Sequence, residues 1–357
     1  CFCDVEPYLA GGQRPSQVVR VPDLSSRLQA SLGRKFRIVR ELTGGGMARV
    51  FLAEDTELQR EVAIKVLTPQ LGDAGVLQRF RNEVLQTTRL QHPTIVSVFD
   101  VGTIEGDGPQ MPYYIMPYVR GESLRSRLKH DGTLSVNATL RILRSVLDAL
   151  VYAHGHGVVH RDIKPENIFL SGTNAVLADF GIAKAISGPR RSASLTTPGT
   201  VVGTLPYMAP EQIAGDENID ARADLYSVGI VAFEMLAGAL PWDGRNAHAM
   251  FAAKVRGSHT PLRSLRGDVP EPLAALIEQC LAWEPAKRPQ SAEEMLRLVE
   301  SLPLSLTQTP GGPVAARSMR RPFWTAAKLL GAAGVVIGLV ALSVGWWKRA
   351  PQTAGHP

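Results

Sequence analysis

Cysteine is scarce in this sequence, which has three among its 357 residues. Cys1 and Cys3 lie in a stretch without regular periodicity, and Cys280 lies in an apolar stretch with helical spacing. A disulfide framework needs more cysteines at more regular spacings, which excludes the class of small secreted scaffolds. A reduced, cytosolic compartment is therefore expected for the folded part of the chain.

A net charge is missing from most of the sequence, although the whole chain carries a formal charge of +6. Six of the 39 basic residues lie in residues 317–357, where there is no acid, so the first 316 residues hold 33 basic and 33 acidic side chains. A neutral folded part argues against nucleic acid as a partner. The basic tail favours the anionic surface of a membrane instead.

Long uncharged runs are also rare, and residues 329–347 form one that is long enough to cross a membrane. These nineteen residues are flanked by Lys328 and Lys348 and end in Trp346 and Trp347. Such a run predicts a single transmembrane helix. The alternative is a helix docked on the folded part, which would need a polar face that these residues lack. More cations precede the run than follow it, which favours a cytoplasmic position for the part before it.

The rest of the chain divides by composition. Residues 1–33 are rich in glycine, proline, serine and glutamine without sustained periodicity, and are predicted to be a flexible leader. Residues 36–302 have the alternating patterns of a folded part. Residues 303–328 are expected to be a basic juxtamembrane linker, and residues 348–357 a short extracytoplasmic tail that is either complete or truncated.

Residues 36–119 carry the pattern of a small sheet with one helix. Apolar residues at helical spacing predict the helix at Val76–Leu90. Short runs of β-type residues predict strands at Phe36–Leu42, Val50–Ala53, Val62–Val66, Val96–Val101 and Tyr113–Val119.

Residues 120–302 are predicted to be mainly helical. Ser135 can cap a helix that ends near Gly155, and Ser291 with Glu294 fits the capping box of a last helix. The run Asp224–Leu236 is apolar nearly all round, which predicts a helix buried in the core.

The densest chemistry lies in residues 160–167, which read HRDIKPEN. The carboxylate of Asp162 stands there among cations and the amide of Asn167. Twelve residues later, an apolar run ends in Asp179, which a phenylalanine and a glycine follow. Two carboxylates and an amide at this spacing can share a divalent metal ion.

These segments resemble the catalytic loop, H-R-D-x-K-x-x-N, and the metal-binding segment, D-F-G, of eukaryotic-like protein kinases. The resemblance covers about residues 36–302, is highly specific because the main motifs occur in order, and is closest to bacterial transmembrane serine/threonine kinases. It implies an α+β, two-lobed protein kinase fold followed by the transmembrane helix. The N-lobe would be residues 36–119, a small antiparallel sheet plus one helix, and the mainly helical C-lobe would be residues 120–302.

The resemblance also implies an activity, in which the γ-phosphate of ATP passes to Ser and Thr hydroxyls of protein substrates. Asp162 would orient the substrate hydroxyl, and Lys164 would neutralise charge on the transferred group. Asn167 and Asp179 would hold Mg²⁺ or Mn²⁺. Lys65 resembles the lysine that contacts the ATP phosphates.

The ATP site implied by the resemblance includes a glycine-rich loop between two predicted strands. The family pattern is G-x-G-x-x-G-x-V, and Thr43 and Ala48 replace its first and third glycines. A β-branched Thr43 would resist a positive φ, so loop mobility or ATP affinity would be altered. Glu83 matches the partner of Lys65, Met116 gates the adenine pocket, and Pro117 removes one hinge donor. The implied ATP-binding residues are Leu42, Thr43, Gly44, Gly45, Gly46, Met47, Ala48, Val50, Ala63, Lys65, Glu83, Met116, Tyr118 and Val119.

The segment from Asp179 to Glu211 resembles the activation segment of the family. Its predicted regulatory phosphorylation sites are Thr196, Thr197 and Thr200, although Pro198 interrupts the usual spacing. A phosphate there could dock on Arg161 and order the segment through charge-assisted hydrogen bonds. Two other matched features are structural, namely an ion pair between Glu211 and Arg288 and a backbone contact of Asp224 with the catalytic loop.

The expected protein is thus a single-pass kinase of the cell membrane with a cytoplasmic kinase domain. Two rival functions stay open, a membrane-tethered pseudokinase that binds partners without phosphoryl transfer and a small-molecule kinase of the same fold. The sequence also leaves open whether two kinase domains form a homodimer, and which proteins are the substrates.

Overall fold

The computed structural model describes residues 23–44, 48–67, 80, 84, 87–105, 110–172, 174–180, 205–216, 218–242, 247–257 and 259–302. The chain divides into two units after Thr307, and all described residues belong to the first. The predicted linker, transmembrane helix 329–347 and tail lie outside these residues. Within the described ranges, no helix has the length and apolar character needed to cross a bilayer.

The N-lobe is built on an antiparallel sheet whose strands lie in the order β1-β2-β3-β5-β4. The strands are β1 Phe36–Gly44, β2 Ala48–Asp55, β3 Arg60–Leu67, β4 Asp100–Ile104 and β5 Met111–Pro117. Alternate residues of β3 point to opposite faces, as the period of a strand requires. Val62, Ile64 and Val66 enter one apolar cluster, and Ala63 and Leu67 enter another.

The fourth strand lies later in the chain than the predicted Val96–Val101. The preceding residues bond to the C-lobe instead, because the Val96 amide donates to the Leu177 carbonyl (2.9 Å) and the Leu177 amide donates to the Thr94 carbonyl (2.8 Å). Apolar composition alone does not distinguish a sheet strand from such an inter-lobe connection. These bonds join the two lobes at Leu177, two residues before Asp179.

The last part of the predicted flexible leader 1–33 is ordered. Helix α1, Leu24–Leu32, begins at the N-cap Asp23 and ends at Gly33, whose φ is +62°. Its buried Leu28 and Leu32 pack on the same sheet face as Val62, Ile64 and Val66. The helix is stabilised by burying Leu28 and Leu32 against the outer face of the sheet. The local composition of residues 1–33 does not reveal this tertiary contact.

The side chain of Gln29 fastens α1 to the first strand. Its amide nitrogen donates to the carbonyls of Gly33 (3.0 Å) and Phe36 (2.8 Å), and its amide oxygen accepts from the Ile38 N–H (2.9 Å). These bonds satisfy backbone groups at the edge of the sheet.

The predicted N-lobe helix is partly described. Phe80, Val84 and Thr87 are helical and buried, at the spacing that the sequence indicates. Phe80 and Val84 pack with Tyr114, Met116 and other residues on the sheet face opposite α1.

The C-lobe is mainly helical, as predicted. Its helices are α2 Leu124–Asp131, α3 Val136–Gly155, α4 Pro210–Ala214, α5 Arg222–Ala237, α6 Ala247–Arg256, α7 Leu262–Leu265, α8 Glu271–Cys280 and α9 Ala292–Ser301. A small antiparallel sheet of β6 Glu122–Ser123, β7 Ile168–Ser171 and β8 Asn174–Leu177 lies at its start. The hairpin of β7 and β8 separates the two chemically dense segments of the sequence.

Helix α5 is the predicted core helix, and every residue from Ala223 to Leu236 is buried. The predicted caps are also present. The Ser135 hydroxyl accepts from the Ala138 N–H (3.2 Å), and the Ser291 hydroxyl accepts from the Glu294 N–H (3.1 Å). The Glu294 carboxylate binds the N–H of Gln290, one residue before the cap (2.6 Å). Its capping box is therefore displaced by one residue.

We expect Leu28→Ala to lower the free energy of unfolding by about 3 kcal/mol, because it removes a fully buried side chain and leaves a cavity between α1 and the sheet. Urea denaturation of the two proteins measures the difference. Leu58→Ala is the matched control, since that leucine is 63% exposed and its loss should change stability by less than about 0.5 kcal/mol. Equal stability of Leu28→Ala and the parent would show that α1 does not stabilise the N-lobe.

Candidate active site

The predicted catalytic loop places three polar side chains together at the start of β7. The Asp162 carboxylate accepts from Lys164 Nζ at 2.8 Å and from Asn167 Nδ2 at 3.1 Å, both on Oδ2. Asn167 Nδ2 also donates to the Asp162 carbonyl (2.8 Å). These contacts hold the Asp162 carboxylate in one orientation, which is the arrangement that a base acting on a substrate hydroxyl needs.

The backbone of this loop is held by Asp224 in α5. The Asp224 carboxylate is fully buried and accepts from the N–H groups of His160 (2.8 Å) and Arg161 (2.7 Å), and it contacts His154 Nε2 (2.8 Å). Arg161 has a φ of +67°, a value that non-glycine residues rarely adopt. Gln212 Nε2 donates to the Arg161 carbonyl (2.9 Å), so both peptide groups of the strained residue are anchored. The predicted backbone contact of Asp224 is thereby present.

The His160 side chain connects the loop to Asp179. Its Nδ1 accepts from the Asp162 N–H (3.2 Å), and its Nε2 donates to the Ala178 carbonyl (2.9 Å), a pattern that assigns the neutral ring. The ring also packs on Phe180 with centroids 4.5 Å apart. His160 therefore braces the catalytic loop against the segment that carries Asp179.

Lys65 and Asp179 bring the two lobes together at the site. Lys65, near the C-terminal end of β3, places its Nζ 2.5 Å from Asp179 Oδ2, and the Tyr114 hydroxyl donates to Asp179 Oδ1 at 2.6 Å. Burial alone would raise the pKa of the Asp179 carboxyl, but the Lys65 ammonium and the Tyr114 hydroxyl outweigh it and lower the pKa below its ordinary value. Asp179 is therefore an anion at neutral pH, with a φ of +68°.

A divalent metal fits the side chains at this position. Asp179 supplies an anionic carboxylate, and the nitrogen of the Asn167 amide is committed to Asp162, which leaves the amide oxygen as the group for a cation. Oxygen ligands of this kind suit Mg²⁺ or Mn²⁺. Asn167 and Asp179 lie on the two sides of the β7–β8 hairpin, so the turn of the hairpin brings them together.

Several of the predicted nucleotide-binding residues that the structure describes share one face of the N-lobe sheet. Ala63 and Met116 are buried on the face of Lys65, and Ala48, Val50, Tyr118 and Val119 pack around the same cluster. Leu42, Thr43 and Gly44 end strand β1. Thr43 is paired with Val50 and has no positive φ, so its β-branched side chain suits this strand position. The effect on loop mobility or ATP affinity stays a prediction. Gly45, Gly46, Met47 and Glu83 lie outside the described residues.

One charged network was missed from the sequence. Arg125 of α2 donates to Glu166 (2.8 Å) and to Glu234 of α5 (2.7 Å), and it also bonds the hydroxyl of Tyr207. The Tyr207 hydroxyl in turn donates to Glu234 (2.6 Å). The available signal was Glu234, an acid within the buried helix α5, because a buried charge needs a partner. The network ties the catalytic loop, through Glu166, to the end of the activation segment, through Tyr207.

The end of that segment is anchored at two points. The predicted ion pair is present, with Arg288 bound to both oxygens of Glu211 (2.7 and 2.9 Å). Lys254 of α6, also buried, donates to the carbonyls of Leu205, Pro206 and Met208 (3.3, 2.9 and 2.7 Å). Burial lowers the pKa of Lys254 to about 7, while the carbonyl acceptors favour its charged form.

Of the residues predicted to act in regulation, the structure describes Arg161. Arg161 is half-buried and its guanidinium donates to the Ile219 carbonyl (3.2 Å). Thr196, Thr197 and Thr200 lie outside the described residues.

Comparison with known proteins places these features in a family. A family model described as protein kinase domain matches residues 36–298. The serine/threonine-protein kinase PknB of Mycolicibacterium smegmatis is 39% identical over 266 residues, which are 74% of this chain and 42% of that protein. The proteins of the same name from Mycobacterium leprae (40% over 253 residues; 70% and 40%) and Mycobacterium tuberculosis (38% over 266 residues; 74% and 42%) are similarly close. The chain spans about two fifths of the length of these relatives.

We expect Lys254→Met to lower the free energy of unfolding by about 2–4 kcal/mol, because three backbone carbonyls lose their common buried donor. Denaturant titration measures the loss. Lys287→Met is the control, since Lys287 is exposed and its described ion pair is with Glu284 three residues away, and its loss should stay within about 0.5 kcal/mol. A change below about 1 kcal/mol for Lys254→Met would contradict the anchoring role.

Proposed function

This chain belongs to the protein kinase family, and on that basis we propose that it is an ATP-dependent serine/threonine protein kinase. The observation that carries the proposal is the pair of carboxylates at one site. Asp162 is oriented by Lys164 and Asn167, and Asp179 is held by Lys65. A base for a hydroxyl and an anchor for a metal–nucleotide are the two parts that phosphoryl transfer requires.

The chemistry of the chain's own residues follows from these contacts. Asp162 accepts or orients the proton of a substrate serine or threonine, and its fixed orientation directs the oxygen nucleophile. Lys164 lies 2.8 Å from the same carboxylate, where its ammonium offsets negative charge on the group being transferred. The run Lys164-Pro165-Glu166-Asn167 supports serine/threonine rather than tyrosine specificity.

Asn167 and Asp179 would hold the Mg²⁺ or Mn²⁺ that accompanies ATP. A bound metal supplies positive charge that offsets the phosphate oxygens. Lys65 would add a second cation to the phosphates, and Tyr118 and Val119 would present their backbone to adenine, with Pro117 offering no donor. The glycine-rich residues 43–48 would cover the phosphates.

Regulation would follow from the position of Arg161. Its backbone is fixed by Asp224, and its side chain lies beside residue 219, next to α5. A phosphate on Thr196, Thr197 or Thr200 that bound this guanidinium would place the activation segment against the catalytic loop. The chain would supply these phosphates itself, by autophosphorylation.

Residues 329–347 would anchor the enzyme in the cell membrane with the kinase domain in the cytoplasm. Their support is the uncharged run of nineteen residues with flanking lysines and terminal tryptophans. Proteins that signal at the inner face of the membrane would be the substrates. A homodimer of kinase domains would give activation segments access to a second active site.

We expect Asp162→Asn to lower phosphate transfer at least about 100-fold, because the amide cannot accept the hydroxyl proton. The full chain is incubated with labelled ATP, Mg²⁺ and a generic protein substrate, and its own phosphorylation sites are mapped by mass spectrometry. Thr196, Thr197 or Thr200 should carry phosphate in the parent and none in the variant.

Asp148→Asn is the matched control, because Asp148 is a surface acid on α3 whose partner is His92. It should transfer label at the parent's rate. If the parent transferred no more label than Asp162→Asn, the enzyme hypothesis would fail and a membrane-tethered pseudokinase would be favoured. If the parent were active but carried no phosphate in residues 179–211, only the proposed regulation by phosphorylation would be contradicted.

We expect the full chain to stay in the membrane fraction at high pH in carbonate, because about twenty apolar residues span a bilayer. A protein ending at Lys328 should appear in the soluble fraction. Replacing Ile337 by arginine is a sharper variant, since a charge at the centre of the run opposes insertion by about 3 kcal/mol. Release of the full chain by carbonate would contradict a transmembrane helix.

A further inference from the structure

Tyr114 is a buried polar residue at the candidate active site that the proposed chemistry does not use. It lies in β5 directly opposite Lys65 of β3 in the antiparallel register. Paired residues of neighbouring strands project from the same face of a sheet. The side chains of Lys65 and Tyr114 therefore reach the same place, and Lys65 Nζ lies 6.0 Å from the centroid of the Tyr114 ring.

These two side chains hold the two oxygens of a single carboxylate. Lys65 Nζ is 2.5 Å from Asp179 Oδ2, and the Tyr114 hydroxyl is 2.6 Å from Asp179 Oδ1. A bond from a hydroxyl to a carboxylate is charge-assisted and short, and a second fixed donor restrains rotation of the carboxylate about its Cβ–Cγ bond. Asp179 thus has a single orientation before any metal binds.

The ring of Tyr114 is itself fixed. It is 1% exposed, packs against Phe80 with centroids 6.3 Å apart, and belongs to the cluster that includes Val84 and Met116. A donor on an immobile ring positions its acceptor more sharply than a lysine on a flexible stem does. The Tyr114 hydroxyl is therefore the more rigidly held of the two donors to Asp179.

We propose that Tyr114 is a positioning residue for the metal-binding carboxylate, and that its hydroxyl sets the affinity of the site for a divalent cation by fixing the orientation of Asp179. The inference rests on the proposed function to the extent that Asp179 is the metal ligand. Hydrogen bonds to a ligating carboxylate orient it, and their loss typically costs about 10–100-fold in metal affinity. Tyr114 acts through Asp179 and does not touch the phosphates.

Tyr114→Phe tests this, because phenylalanine keeps the ring against Phe80 and removes only the hydroxyl. The probe is Mn²⁺, titrated into the full chain with a non-hydrolysable ATP analogue and followed by electron paramagnetic resonance. We expect the dissociation constant for Mn²⁺ to rise at least about 10-fold, with the affinity for the nucleotide in EDTA and the melting temperature nearly unchanged. In the transfer reaction, the Mg²⁺ concentration for half-maximal rate should rise by the same factor while kcat at saturating Mg²⁺ changes little.

Tyr113→Phe is the matched control. Tyr113 is the preceding residue of the same strand, but its ring packs on the opposite face, with the cluster under α1. This variant should bind Mn²⁺ as the parent does.

Three results would overturn the proposal. Mn²⁺ binding by Tyr114→Phe that equals or exceeds the parent's would show that the hydroxyl does not position the ligand. A fall in kcat or melting temperature without a change in Mn²⁺ affinity would assign Tyr114 a packing role only. A parent that binds no Mn²⁺ with nucleotide would remove both the proposal and the ATP site, which separates this failure from the first two.

Discussion

The carboxylate of Asp224 is the contact on which the candidate site depends. It lies at the start of the fully buried helix α5 and binds two successive backbone N–H groups of the catalytic loop. A buried anion is costly unless donors surround it, so the contact stabilises both the loop and the helix. The positive φ of Arg161 exists within this contact, and Asp162, the next residue, takes its direction from it. The buried helix α5 thereby fixes the position of the catalytic-loop backbone from which the Asp162 carboxylate projects.

A second constraint is the two-sided character of strand β3. One face carries Val62, Ile64 and Val66 under α1, and the other carries Lys65 between Ala63 and Leu67. A shift of one residue in register would exchange these faces, so the pairing that stabilises the N-lobe also fixes the lysine at Asp179. The same strand pairing therefore buries the apolar side chains of β3 and places the Lys65 ammonium beside Asp179.

The sequence predicted the parts whose signals are local. The caps at Ser135 and Ser291, the buried helix α5, and the order of Asp162, Lys164, Asn167 and Asp179 were all visible in short spans. What it missed depends on distant pairing: β4 was placed too early because its predecessor bonds to Leu177, and α1 forms only against a sheet face. Tyr114 lies opposite Lys65 because β3 pairs with β5, although β4 comes between them in the sequence. Arg125 binds partners in three separate segments of the chain. Such contacts join residues about 40 to 110 positions apart, beyond the reach of periodicity.

Helix α1 also affects where the folded unit begins. The match to the family starts at Phe36. Leu28 and Leu32, which precede that residue, cover one face of the N-lobe sheet, and Gln29 bonds to the edge strand β1. A protein shortened to start at Phe36 would present that surface to solvent as a contiguous apolar patch, the feature that drives self-association of soluble proteins. The practical N-terminal boundary for expression and crystallisation therefore lies at or before Asp23, thirteen residues ahead of the family boundary.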